Sequence, residues 1–410
     1  MTFTRKSANL VPIEDTVFKI VKLAQEDKIK NGEDTVIDAS IGSLYGEDGV
    51  LVAFSSVFDH YDKIPHTVKA AYAASFIGND NFRKEVYSWL FSDINSTLKH
   101  EVVATPGGSG SISLTFQSML EEGQTVIIPD IGWGSYKLMA SQNNFNIKTY
   151  KMFDNDSFNI TSFKDVINEV KEKQDKLLIV INDPCHNPTG YTMSKEEWKE
   201  VINFLNEVSK TTPCIIIDDL AYIDYSFNLD NSRKYLELFN QINDKVMVIL
   251  GFSCSKTLTS YGLRCGAAII LAQKQQAVDE ARIVFEKGAR AIWSNIPNAA
   301  MENFAWVVKE NKENYLKEKQ FYIDLLKERA SIFIEEAKKV NLEYYPFVEG
   351  FFVTLKVDNN IIRDEFHQNL IDNHIYTVQV NNGIRIALCS LPINKVYGLA
   401  KRIKDLQPSK

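Results

Sequence analysis

The chain has 410 residues and a formal net charge of −7, with 45% hydrophobic and 24% charged side chains. That is a globular composition with room for two or three domains, and the acidic balance, with no long Lys/Arg block, excludes a nucleic-acid backbone as the main partner. Cys185, Cys214, Cys254, Cys265 and Cys389 form no CxxC pair, so they offer no metal spacing and point to a reducing compartment. The start, MTFTRKSANL, has no apolar leader core and no run approaches a membrane span, so no membrane partner is expected and the cytoplasm is the expected location.

Residues 1–48 read as an N-terminal arm that contributes to a smaller domain. From about residue 100 to 270, short Val/Ile-rich runs end in polar or glycine turns: TVIIPD, KLLIVINDP, CIIIDD and VMVILGFS. Such runs predict strands buried on both faces, as in a largely parallel sheet. Helical patterns lie between them. In MSKEEWKEVINFLNEVSK, Ser194 and Glu197 predict a capping box, with Trp198, Val201, Ile202, Leu205 and Val208 on one face. The alternation predicts an α/β domain over residues 49–300. Beyond it, a long Glu/Lys-rich helix leads into a smaller α+β domain over 301–410, where FFVTLKV and GIRIALCSL read as strands around a helix.

Four stretches carry chemistry. TPGGSGSISLTF sets Gly107, Gly108, Ser109 and Gly110 at a helix start, where free N–H groups attract an anion; a tight turn is the plain alternative. GWGS holds Trp133 between glycines, either as a ring platform or as a core plug. INDPCHNPTG presents Asn187 at a strand end, while His186 has no partner in sequence and reads as structural. CIIIDDLAYIDY offers Asp218, Asp219 and Tyr222, where one acid can balance a buried cation or simply cap the strand. Last, GFSCSKTLTSYGLRCG sets Lys256 among Ser253, Ser255 and Arg264. A lysine at the end of a buried strand is costly unless its amine has work to do. A cationic neighbour and desolvation would lower its pKa and make it nucleophilic. A phosphate cradle, a stacking ring, a carboxylate, a phenol and such a lysine together suit pyridoxal phosphate.

With these motifs in place, the chain resembles the class I aminotransferases of pyridoxal-phosphate fold type I, the aspartate aminotransferase family. The match runs in order from about Ile37 to Leu391, and its most specific part is S-x-S-K followed by R-x-G, joined to N-P-x-G and D-x-A-Y. The resemblance implies a mainly parallel sheet flanked by helices, a smaller domain, and a homodimer with active sites at the subunit interface. It implies that Lys256 forms the Schiff base and moves the proton, and that Asp219 keeps the pyridine nitrogen protonated. Tyr222 and Asn187 would donate to the ring 3-oxygen and Trp133 would stack on the ring. Gly108, Ser109, Ser253, Ser255 and Arg264 would cup the phosphate. Gly42, in IDASIGSLYG, would lie near the substrate, and Arg385, in NNGIRIAL, would clamp the α-carboxylate.

In the same family, a position matching Arg290 of EKGARAIWSN reaches across from the partner to a distal carboxylate, which favours aspartate, glutamate and their 2-oxo acids. A helix-face salt bridge is its plain alternative. A tyrosine of the family also reaches the partner's phosphate. Here Tyr72 stands one residue out of register, with Ala73 in the expected place: either a one-residue insertion keeps Tyr72 in that role or the contact is lost. The expected activity is amino transfer between an L-amino acid and a 2-oxo acid. A β-lyase or an aromatic aminotransferase on the same scaffold are the alternatives. A non-catalytic regulatory module that binds the cofactor is disfavoured, because the first family motif falls within about 40 residues and leaves no room for an added DNA-binding domain.

Overall fold

The computed structural model describes residues 3, 4, 8, 10–13 and 16–408. Seven strands form the central sheet: β1 Lys99–Thr105, β2 Thr125–Pro129, β3 Asn146–Tyr150, β4 Leu177–Ile181, β5 Cys214–Asp219, β6 Val246–Ser253 and β7 Gly266–Ala272. Their spatial order is β1-β7-β6-β5-β4-β2-β3. β7 runs antiparallel to both its neighbours, and the remaining pairs are parallel.

The apolar runs make these strands because both faces of the sheet are covered. Successive side chains of a strand point to opposite faces. Accordingly Leu177, Ile179 and Ile181 enter one core with Ile216 and Leu250, while Leu178 and Val180 enter a second with Ile215, Ile217 and Ile249. The helix Lys195–Val208 packs on the first core with the capping box of Ser194 and Glu197 formed, and Trp198, Val201, Ile202, Leu205 and Val208 are its buried residues.

A smaller antiparallel sheet comprises β8 Phe352–Lys356, β9 Val378–Val380 and β10 Gly383–Ala387 in the order β8-β10-β9. The N-terminal region joins this unit. Ile37–Asp38 pairs in parallel with Ile375–Tyr376, and Ile20, Ala24 and Val36 of the helix Thr16–Asn31 and its exit pack with Tyr376. The 28-residue helix Lys312–Lys339 belongs to both cores. Its Tyr315, Ile323 and Leu326 pack into the large one, and its Ala330, Phe333 and Ala337 into the small one. Among the described residues no helix is long and apolar enough to cross a membrane.

The reversal of β7 matters for the site. Gly266 sits opposite both Ser253 and Thr105, so the residues just before β7 reach the edge where β1 and β6 end. A Cβ on Gly266 would lie 2.5 Å from the Phe252 carbonyl and 2.6 Å from the Gly107 backbone, an approach only glycine allows.

Candidate active site

The carboxyl ends of the parallel strands open onto a cavity of about 780 Å³, closed on its other side by residues of the small unit. Ligands of open α/β sheets bind at this edge. Gly42, Gly108, Ser109, Trp133, Asn187, Asp219, Tyr222, Ser253, Ser255, Lys256, Arg264 and Arg385 all line it.

At one end lies an anion site. The helix Gly107–Met119 starts directly after β1, and Gly107 takes a positive φ of 71° to make the turn. Arg264, itself left-handed at φ 49°, donates from Nη1 to Ser255 Oγ at 3.0 Å and to the Tyr261 carbonyl at 2.9 Å. Its Nη2 reaches the Pro106 carbonyl at 3.3 Å. Arg264 makes no ion pair among the described residues, so its charge is open to a bound anion. A Cβ on Gly107 would lie 2.6 Å from Arg264 Nη2, and one on Gly108 would lie 3.3 Å from the Ser253 Cβ. The glycines therefore let guanidinium and helix N-terminus approach one point, which suits phosphate.

In the floor, Asp219 ends β5. Its Oδ2 accepts from Tyr136 Oη at 2.6 Å, its Oδ1 from the Ala221 N–H at 3.2 Å, and its carbonyl from Asn182 Nδ2 at 2.6 Å. Burial pushes the carboxyl up to about 6, against the pull of the Tyr136 and Ala221 donors. Such a carboxylate is stabilised by a cationic partner, and the N–H of a protonated pyridine is one. Trp133 stands half-buried beside it, edge to face with Tyr136 at 5.5 Å between centroids. Asp218, the neighbouring acid, points to the opposite face of the strand. There it accepts from Tyr235 Oη at 2.7 Å, and burial raises its pKa well above the carboxylate range.

Lys256 stands on a one-turn helix, Cys254–Thr257, that interrupts the chain after β6. Its Nζ donates to the Gly42 carbonyl at 2.5 Å and lies 4.7 Å and 5.3 Å from the ring centroids of Tyr261 and Tyr222. Burial lowers its pKa to about 8; Cys389 opposes the shift, and Arg385 and Arg264 add to it. A neutral amine is thus accessible near neutral pH.

Arg385, in the middle of β10, closes the far end. It donates to Asn187 Oδ1 at 3.2 Å and to the Ser40 carbonyl at 2.8 Å, and stacks on Phe352 at 4.4 Å. Its Nε is buried without a partner, an unspent donor on a side chain that lines the cavity. Asn187 is held in turn by its own N–H, which donates to Asn182 Oδ1 at 2.7 Å.

Two candidates lie elsewhere in this chain. Tyr72 is 86% exposed, and Arg290 is an exposed side chain that bonds Ser294 Oγ and stacks 4.6 Å over Phe76. Neither lines the cavity. His186 is buried, paired with Thr189 Oγ1 at 2.8 Å, and burial holds it neutral with a pKa near 3. No group of His, Cys, Asp or Glu among the described residues is arranged to hold a metal. Sequence reasoning missed Tyr136, Asn182, Tyr261 and Phe352, all in the cavity wall, together with Val11, Pro12, Ile13, Val17 and Phe18 of the N-terminal region. Tyr136 had a usable signal, its place one helical turn after Trp133; the others become neighbours only through the fold.

A family model described as aminotransferase class I and II matches residues 66–403. The chain belongs to this family. A crystal structure of an aminotransferase from Anaerococcus prevotii DSM 20548 superposes at a TM-score of 0.96 with 33% identity, covering 100% of both chains. The aromatic-amino-acid aminotransferase of Escherichia coli K12 is 23% identical over 354 residues, 82% of this chain and 86% of that one. The fold is shared with the aromatic-amino-acid aminotransferase of Burkholderia pseudomallei, whose structure is covalently bound to pyridoxal phosphate. That likeness has a TM-score of 0.79 and 19% identity, covering 98% of this chain and 99% of that one. Pyridoxal phosphate is the cofactor of this aminotransferase family, and the cavity fits it. The Arg264 end matches its phosphate, the Asp219 carboxylate its ring nitrogen, and the Lys256 amine its aldehyde.

Proposed function

We propose that this aminotransferase works as a homodimer on acidic substrates, exchanging the amino group between aspartate or glutamate and a 2-oxo acid in two half-reactions. Bound pyridoxal phosphate supplies an aldehyde carbon to take the amino group and a ring that withdraws electrons from the substrate Cα. The chain does the rest. Arg264, Ser253, Ser255, Ser109 and the N–H groups at Gly108 would hold the phosphate. Asp219, fixed by Tyr136, would pair with the ring nitrogen, Tyr222 and the Asn187 amide would donate to the ring oxygen, and Trp133 would stack on the ring. Arg385 takes the substrate α-carboxylate in a fork, which turns the Cα–H toward Lys256. Lys256, whose pKa burial lowers to about 8, would remove the Cα proton through its neutral fraction and return one in the reverse direction.

The acidic preference rests on Arg290. Its guanidinium is exposed, bonded only to a hydroxyl and an aromatic face, with no carboxylate partner among the described residues. A surface arginine held in a salt bridge would look different, and a guanidinium free of a partner is available to a second subunit's site. A second reading, an aromatic substrate, is favoured by Val11, Ile13 and Phe18, which put apolar surface at the cavity mouth. The five free, buried cysteines support a cytoplasmic location.

The test is kcat/KM for L-aspartate and L-phenylalanine, with a 2-oxo acid acceptor, in wild type and Arg290→Ala. We expect about a 100-fold loss for aspartate, or roughly 2.7 kcal/mol, and little change for phenylalanine. Equal losses, or none, would remove the acidic reading and leave the aromatic one. Ammonia released without an acceptor would point to a lyase.

A further inference from the structure

The residue after the reactive lysine is gripped from two sides. Thr257 Oγ1 donates to Asp224 Oδ2 at 2.6 Å, and the Thr257 carbonyl accepts from Tyr315 Oη at 2.5 Å. Asp224 also accepts from Trp89 Nε1 at 3.1 Å and 3.2 Å and from Arg233 Nη2. Lys319, fully buried, lies 4.0 Å from the Asp224 carboxylate, and its Nζ has no hydrogen-bond partner. None of Asp224, Thr257, Tyr315 or Lys319 lines the cavity. This is a buried ionic cluster behind the site, out of reach of any ligand.

Buried charges cost free energy that well-packed apolar side chains would not, so their presence calls for a use other than filling space. Their placement suggests one. Lys256 stands on a helix of four residues, Cys254–Thr257, too short to hold its own geometry. The long lysine side chain magnifies any twist of that turn at Nζ, and loss of about 1 Å in a reacting position costs orders of magnitude in rate. Tyr315 and Lys319 lie one turn apart on the helix Lys312–Lys339, whose first half is anchored in the large core. They give the turn a rigid backing.

Resting on the aminotransferase reading, we propose that Asp224 is a positioning residue for Lys256: its carboxylate clamps Thr257, and so sets the turn that aims the lysine amine at the reacting carbon. Arg233 and Lys319 keep that carboxylate ionised and immobile, and Tyr315 clamps the other side of Thr257. Asp224→Asn would leave the buried Lys319 and the partly buried Arg233 uncompensated, so the clean variant is Thr257→Val, which removes one hydroxyl and leaves Asp224 its other donors.

The experiment compares wild type, Thr257→Val and Thr257→Ser as holoenzymes. It measures kcat and KM for the amino donor, pyridoxal phosphate affinity by titration of the cofactor-free protein, and the visible circular dichroism of the lysine-bound cofactor. The valine variant should bind the cofactor, keep its KM, lose about tenfold in kcat and show a weakened dichroic band, because the lysine is less well aimed. The serine variant, which keeps the hydroxyl, should restore both. Wild-type kcat and dichroism in the valine variant, or a serine variant as impaired as valine, would overturn the proposal. If the valine variant does not fold, Tyr315→Phe carries the test, since it keeps the ring and removes only the bond to the Thr257 carbonyl. The same kcat and dichroic losses support the proposal, and wild-type values overturn it. A wild-type protein with no lysine-bound absorption band and no amino transfer would instead remove the aminotransferase reading, and this inference with it.

Discussion

Lys256 shows how a single residue trades stability for reactivity. Its amine has an ordinary value of 10.5, lowered in the fold to about 8 chiefly by burial. The unfolded chain therefore holds more protons between those two values, and stability rises with pH across that window. Put the other way, the lysine's contribution is full above 10.5 and is lost as pH falls to about 8. Lys319, also lowered by burial to about 8, acts in the same sense and is common to the variant below. Cofactor-free Lys256→Met should thus melt a few degrees above the wild type at pH 7, with the gap closing toward pH 10. Thermal melts at pH 7, 8.5 and 10 check this, and a gap independent of pH would contradict it. The two neighbouring acids make a related point. Asp218 and Asp219 are alike as letters, and only the alternation of β5 decides which one faces the cavity and which one faces Tyr235.

Among the elements, the junction of β1 with the helix Gly107–Met119 carries the anion site. Gly107 needs its positive φ, and a methyl group there would collide with the Arg264 guanidinium. Gly107→Ala should therefore strain the turn by about 1–2 kcal/mol and displace Arg264 from its Ser255 and Tyr261 partners. The expected result is at least about a tenfold weaker affinity for pyridoxal phosphate, read by titrating the cofactor-free protein. An unchanged affinity would show that the guanidinium has room to move aside. The glycines before a helix were visible in the sequence. The reversal of β7 was not, because the run GAAIILA is wholly buried like its parallel neighbours and carries no mark of direction. Yet that reversal is what carries Arg264 to the same edge as Ser253.

On the scale of the whole molecule, the site joins segments far apart in the chain. Lys256 bonds the Gly42 carbonyl, and Arg385 reaches Ser40 and Asn187, so both units must be in place before the cavity exists. The proposed dimer adds a further requirement, that Arg290 serve the site of the other subunit. A hybrid of one Lys256→Ala subunit and one Arg290→Ala subunit would then contain one complete site. Purified hybrid should recover about half of the wild-type aspartate activity per dimer. If Arg290 acted within its own chain, the hybrid would have no complete site and only about half the activity per dimer of Arg290→Ala itself.

What the sequence by itself determined was the set of strand-end motifs and their order. S-x-S-K, R-x-G, N-P-x-G and D-x-A-Y each join a rare residue to a turn, and a buried strand ending in a charge is legible because burial without a partner is costly. The Ser194 capping box was legible for the same local reason. Only the tertiary structure decided which side chains meet. Tyr136 on Asp219, Asn182 on Asp219, and Asp224 on Thr257 are contacts across 33 to 83 positions that no local period announces. The tertiary structure also decided that the Glu/Lys-rich helix should bury Lys319 and Arg329, where composition reads a solvated face. Local letters record the cost of an unusual residue, and the partners that offset it come from the fold.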